Sequence, residues 1–425
     1  LATIGEAVFS KCQLLTKINL PNLKLVGKSS FSFCSSLKTI NLNKVETIKS
    51  HAFEKCPIQK LYLPSVQTLD DYAFSYCDSL EDINLPSLES FGDYCFDHCY
   101  KLLTVSFQKV EKIGEFAFST CMNLNSFRSE TVQNIGSHVF FYCNSLTVFE
   151  APKLTILGDS AFYNCNLIEI AEFPMLTIVK EESFAYCHSL VSVSLPVALR
   201  INENALHFCD SLANLPLPSC TFIDNSAFEG CILLQRVYLP LVEKIGDSVF
   251  KNCNFLNYIH MPSLAIVNKS ALNIFYGCVN LRQINLNSIP PDSFNESAFD
   301  SALLPNKTKK DVIGYDLTIC LPQRKDYEDN YWTDNPSHKK KKYLWKGILA
   351  VEPYDYFNVC AEVTTDSNKM SKQVMIIVIC CTITITLLII ALIVLLIWRK
   401  KKQESDNKLK KKNLLLTSEI IEKFG

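Results

Sequence analysis

The sequence has little of what enzyme chemistry needs. Its twelve glycines in 425 residues make no phosphate-cradling loop, no dinucleotide fingerprint and no nucleophile elbow. Seven histidines are scattered at positions 51, 98, 138, 188, 207, 260 and 338, and no pair of carboxylates stands alone in a segment of its own. Zinc sites draw on cysteine pairs at short spacing; the nearest approach is Cys95, His98 and Cys99, all accounted for by the repeat below. No residues remain to build an enzyme domain, so no catalytic residue, cofactor or metal is expected. A dominant charge is missing too: the net charge is -1, without the basic folded face that nucleic-acid binding requires. The chain opens without Met or a signal-peptide pattern. It begins inside a repeat and is read as N-terminally truncated, so the missing leader says nothing of its destination.

Cysteine and phenylalanine are plentiful, at 19 and 27 residues. Cysteines fall at 12, 34, 56, 77, 99, 121, 143, 165, 187, 209, 231, 253 and 278, in steps of 22 with one of 21 and a last of 25. Three residues before each stands Phe, or Leu206 in one case, and three after most stands Leu or Ile. A fixed period of this length marks a solenoid and outranks local propensity. Within one period, Ile83 and Leu85 alternate with Asp82 and Asn84, the pattern of a short strand with one buried face. Pro86 ends it, and Leu88, Phe91 and Phe96 return to the core. Gly92, with Gly5, Gly114, Gly136, Gly158 and Gly246, is expected to supply a turn with positive φ. A single coil cannot bury its apolar positions alone, so stability comes from stacking on neighbours.

The pattern L-x-x-I-x-L-P-x-L-x-x-I-G-x-x-A-F-x-x-C, carried by Leu80, Ile83, Leu85, Pro86, Leu88, Phe96 and Cys99, resembles the BspA-like leucine-rich repeats of the treponemal class. The resemblance runs through thirteen coils and a degenerate fourteenth, where Phe299 is in place and Ala302 replaces Cys. It implies a leucine-rich repeat solenoid with short parallel strands on a concave face and irregular or short helical turns on a convex face. It also implies the surface-exposed, adhesive role of that family. The solenoid is assigned to residues 1–302 and its C-terminal cap to 303–350, where Tyr327 and Trp332 resemble the family's closing segment. Coil insertions carry the sequons at Asn268 and Asn295, and a third lies at Asn306; all three are candidate glycosylation sites. The lysines at 339–342 read as a solvated loop or a heparin-like site.

Residues 351–373 read as a stalk. Residues 374–397 hold no charge and no helix breaker; at about 1.5 Å per residue they suffice for one tilted transmembrane helix, closing with Trp398. Residues 399–425 carry +5, against -6 for residues 1–398. This asymmetry places the tail in the cytoplasm and the solenoid outside, with the tail against anionic inner-leaflet lipids. The expected localisation is therefore the plasma membrane, single-pass, type I. Leu414–416 and Ile420–421 resemble dileucine sorting signals but lack the acidic residue at the usual distance.

A Cys at the same place in every coil suits a small apolar side chain packed in a tight turn, and an odd ladder cannot pair completely. The thirteen repeat cysteines are read as reduced core thiols, with disulfides the rival in an oxidising exterior. Cys220 replaces a core Leu. Cys320 and Cys360, outside the ladder, are a candidate disulfide.

The outward strand positions form columns across the coils, and two patches stand out. One joins Val148, Glu150, Ile170 and Glu172; the other joins Arg236, Tyr238, Tyr258 and His260, in which exposed aromatics beside Arg are the residue types enriched at contacts. The expected function is that of a membrane-anchored adhesion protein whose repeats bind protein or glycan ligands on host cells, matrix or other cells. The alternative is a receptor that signals through its short basic tail.

Overall fold

The computed structural model describes residues 2–267, 273–286 and Ala298, together with the backbone of Thr318–Cys320, Trp332–Asp334, Lys342–Trp345 and Ile348–Val351. The chain divides into two compact units, Leu1–Tyr354 and Asp355–Gly425, and every described residue lies in the first. Asn268, Asn295, Asn306, the 339–342 lysine side chains, the Cys320 side chain, Cys360 and residues 374–425 fall outside the described residues. Among the described residues no helix is long and apolar enough to cross a membrane.

Each coil has three sides. A three-residue strand such as Lys60–Tyr62 buries its middle residue and exposes the flanking two. A turn at the proline leads to a two-residue strand such as Ser90–Phe91, whose second side chain is buried. A third, turn side then carries Phe96 and Cys99 into the core. Both strand types stack in parallel columns in register, as in Val105 opposite Phe127 and Ile113 opposite Ile135. The result is a parallel β-solenoid. The second column is not visible as alternation, because two residues are too few to show a period. At the C-terminal end, Gln283–Asn285 pairs with Thr318–Cys320, which pairs with Ile348–Val351. Antiparallel Lys342–Trp345 and Trp332–Asp334 complete that sheet.

The turn side is built from alternating backbone handedness. The residues five and one before each Cys have positive φ, as Tyr72 and Tyr76 before Cys77 at 56° each. Non-glycine residues in this region are uncommon and costly. Here the conformation is held by hydrogen bonds to the next coil: Tyr72 N–H donates to Asp93 O at 2.9 Å, Phe74 N–H to Cys95 O at 2.9 Å, and Tyr76 N–H to Asp97 O at 2.8 Å. The alternation turns every second N–H toward the neighbouring coil. The expectation that Gly92 and its counterparts supply positive φ is corrected: among the described glycines positive φ occurs at Gly230 and Gly277, which stand just before a repeat Cys rather than at the Gly92 position. A Cβ on Gly114 would instead lie 2.6 Å from the Gly92 carbonyl carbon of the coil below. Close stacking of coils, rather than turn geometry, explains that glycine. Beside it, Asp71 and Asp93 each accept the N–H one coil on, from Asp93 and Glu115 at 3.0 and 2.7 Å.

The core is a pair of ladders. Phenylalanine rings stack face to face from Phe9 to Phe184, with centroids 5.2 Å apart for Phe9–Phe31 and 5.3 Å for Phe162–Phe184. Leu206 interrupts the stack, which resumes at Phe228–Phe250. Beside it, each repeat thiol from Cys34 to Cys278 donates to the carbonyl of the Phe or Leu one coil back, as Cys99 Sγ to Phe74 O at 3.3 Å and Cys143 Sγ to Phe118 O at 3.2 Å. Donation requires the protonated thiol, and burial secures it: the Cys187 thiol is pushed up to about 12. Every described cysteine is free, and all but Cys12 are buried, Cys95 and Cys220 included.

Candidate functional site

The strand face is interrupted at one junction in both of its columns. The three-residue column breaks between Val148–Glu150 and Ile170–Glu172, and the two-residue column breaks between Ile156–Leu157 and Ile178–Val179. A second break, between Thr39–Asn41 and Lys60–Tyr62, affects only the longer column and sits at the shortened 21-residue step. The double break falls at an ordinary 22-residue step, from Cys143 to Cys165. Within the core of a coil, two inward strand positions share the available volume. They hold Phe127 with Ser129, then Phe149 with Ala151, then Ala171 with Phe173. Volume per coil is roughly conserved, but the large ring changes place between Phe149 and Phe173, whose centroids are 5.7 Å apart and tilted by 34°. The same exchange of place between Phe107 and Phe127 is accommodated in a ladder paired over four residues, so ring placement alone does not account for the double break. The turn side continues unbroken across this seam, with Ser160, Phe162 and Asn164 N–H donating to Glu181, Ser183 and Ala185 at 2.8, 2.8 and 2.9 Å.

A depression of about 440 Å³ opens at the seam. Val148, Phe149, Ala151, Pro152, Ile170 and Pro174 give it an apolar floor, and Glu130, Glu150 and Glu172 supply carboxylates at its margin. The first of the sequence-predicted patches is therefore brought together at one place. Ile170 is 60% exposed, unusual for an isoleucine in a strand. Glu150 accepts from Arg128 Nε at 3.0 Å, whereas Glu130 and Glu172 form no ion pair with any described residue. Leu167, Met175 and Ile178 on the same coil are also exposed. Sequence reasoning missed these three, having followed only the outward strand columns. No signal in the sequence sets them apart, since other coils also expose apolar residues there, such as Leu233, Leu241 and Ile266.

The second predicted patch differs from expectation. Strand pairing does align Arg236 with Tyr258 and Tyr238 with His260, and the Arg236 guanidinium sits 5.3 Å from the Tyr258 ring centroid. Tyr238 is 38% exposed, but Tyr258 is only 5% exposed. Tyr258 is thus packing beneath Arg236, Tyr238 and His260 rather than an exposed contact. His260 is half-buried, which pushes its pKa down, and its Nδ1 has no hydrogen-bond partner. Asn285, which pairs with His260 in the next strand, is fully buried.

Titratable groups elsewhere do structural work. His51 lies 3.0 Å from Glu54 and His188 lies 2.8 Å from Asp210. Buried Asp97 sits 2.7 Å from His98 Nδ1 in poor alignment, and burial raises its pKa despite that neighbour. Among the described residues, no group of three or more His, Cys, Asp or Glu side chains could hold a metal ion.

Comparison with known families matches residues 2–125, 111–235 and 221–311 to the BspA type leucine rich repeat region. Among solved structures, a leucine-rich repeat protein from Bacteroides ovatus is 23% identical, with 72% of this chain and 86% of that chain covered and a TM-score of 0.51. A leucine rich cell surface protein from Faecalibacterium prausnitzii is 22% identical, covering 72% and 87%, with a TM-score of 0.40. A leucine-rich repeat protein from T. pallidum is 24% identical, covering 44% and 82%, with a TM-score of 0.33. No curated protein matches.

Proposed function

Because the chain belongs to the BspA-type leucine-rich repeat family, we propose that it is a surface protein whose strand face binds macromolecules of host cells, matrix or other cells. The observation that carries this reading is Ile170, 60% exposed, in a depression lined by Val148, Pro152 and Pro174 and by the carboxylates of Glu130, Glu150 and Glu172. Contiguous exposed apolar surface rimmed by polar groups is the usual form of an interaction site. Anchoring by residues 374–397, with the basic segment after Trp398 on the cytoplasmic side, completes the proposal. Glycans at Asn268, Asn295 and Asn306 would then be extracellular.

The test is a plate assay of the full chain against laminin, fibronectin, collagen and sulfated glycans, comparing the parent with Ile170→Lys and Tyr238→Ala. Both residues are exposed, so folding should survive, as circular dichroism would check. Retention of at least one ligand by the parent, with a tenfold loss in Ile170→Lys, is expected. A parent that retains none, or an Ile170→Lys variant that binds equally, contradicts the proposal. Loss confined to Tyr238→Ala would move the binding site to the other patch.

A further inference from the structure

We propose that the seam depression is a subsite for one cationic side chain, lysine or arginine, carried between apolar residues on an extended segment of a protein partner. This rests on the strand face being the binding face. Three observations select the occupant. The floor formed by Val148, Ile170, Pro152 and Pro174 is apolar and open, which suits the methylene stem of a long basic side chain and the apolar residues beside it. Of the three carboxylates at the margin, only Glu150 has an ion-pair partner among the described residues, Arg128. Glu130 and Glu172 are left with a charge that a partner can answer, and complementary charge sets specificity and register more than raw affinity. The shape of the occupant follows from the ladder. Val148–Glu150 and Ile170–Glu172 are successive strands that do not pair, and both contribute to the depression, so an occupant lies across the strands rather than along one of them. Pro152 and Pro174 close the lower end and offer no N–H. A sulfated glycan or an acidic peptide would meet uncompensated carboxylates, and a wholly apolar segment would leave Glu130 and Glu172 desolvated without a partner.

A phage-displayed random heptapeptide library panned on the full chain tests this. Enriched sequences should carry Lys or Arg next to Val, Ile, Leu or Phe. A synthetic peptide of the consensus should bind Glu130→Gln/Glu172→Gln at least tenfold more weakly than the parent, and several-fold more weakly when salt rises from 50 to 500 mM. Both substitutions are isosteric and exposed, and unchanged thermal melting would show that the fold is retained. No enrichment, enrichment without a basic residue, or equal binding to the double variant overturns the subsite. The broader reading is judged separately. If matrix binding falls in Ile170→Lys while the library yields no basic consensus, the face is right and the occupant is wrong. If matrix binding is indifferent to Ile170→Lys, the face itself is wrong.

Discussion

A single residue type at a single place in the period does most of the holding. Phe162 is fully buried and stacked 5.3 Å from both Phe140 and Phe184. Phe162→Ala should lower stability to urea by roughly 3–5 kcal/mol, as expected of a large core truncation. Phe162→Leu should cost much less, since Leu206 fills the same position with 0% exposure. A loss well under 1 kcal/mol for Phe162→Ala would contradict the register. Asp97 gives a pH test. Its carboxyl is buried, and burial raises its pKa above the ordinary 3.8. Folding therefore favours the protonated form: the group costs nothing below the unfolded value and becomes unfavourable as pH rises through the folded one. Asp97→Asn, neutral and of similar shape, should raise the thermal midpoint at pH 7 and leave it unchanged near pH 3. Equal shifts at the two pH values would contradict this. The Phe and Cys positions were legible because the period repeats them thirteen times. The role of the thiol as a donor to the carbonyl one coil back was not legible, because it depends on the distance between coils.

At the scale of strands and turns, the alternation of Ile83 and Leu85 was enough to place the three-residue strand, but three features escaped. The two-residue strands are too short to leave a pattern. The left-handed turn residues are chemically varied, from Tyr72 to Ser160 to Asn204, because neighbouring coils rather than side-chain type fix their backbone. The glycines were assigned to turns when steric contact such as that between Gly114 and the Gly92 carbonyl accounts for them. The exchange of Phe149 for Phe173 is visible in the sequence, but the same exchange between Phe107 and Phe127 leaves the ladder continuous, so it does not mark the seam. The consequence of the seam for hydrogen bonding should be measurable. Amides of Ile170–Glu172 should exchange with deuterium faster than those of Ser126–Ser129, which sit in a continuous ladder with strands on both sides. Equal protection of the two segments would mean that the seam is sealed.

For the whole molecule, stacking makes stability a sum of coils and their interfaces, and the function proposed for the BspA-type repeats is surface recognition. Of the two patches read from the sequence, one coincides with the seam depression. The other is partly buried at Tyr258, because period alone cannot report how neighbouring side chains such as Arg236 and Tyr238 cover a ring. The central claim is that partners meet the strand face at the seam. It is tested most directly by placing the photo-crosslinking residue benzoylphenylalanine at position 170 of the full chain, or at position 142 on the turn side, where Tyr142 is 37% exposed. Each is irradiated with an extract of extracellular matrix. The account predicts adducts from position 170 and none from position 142; adducts from 142 alone, or none from 170, would contradict it.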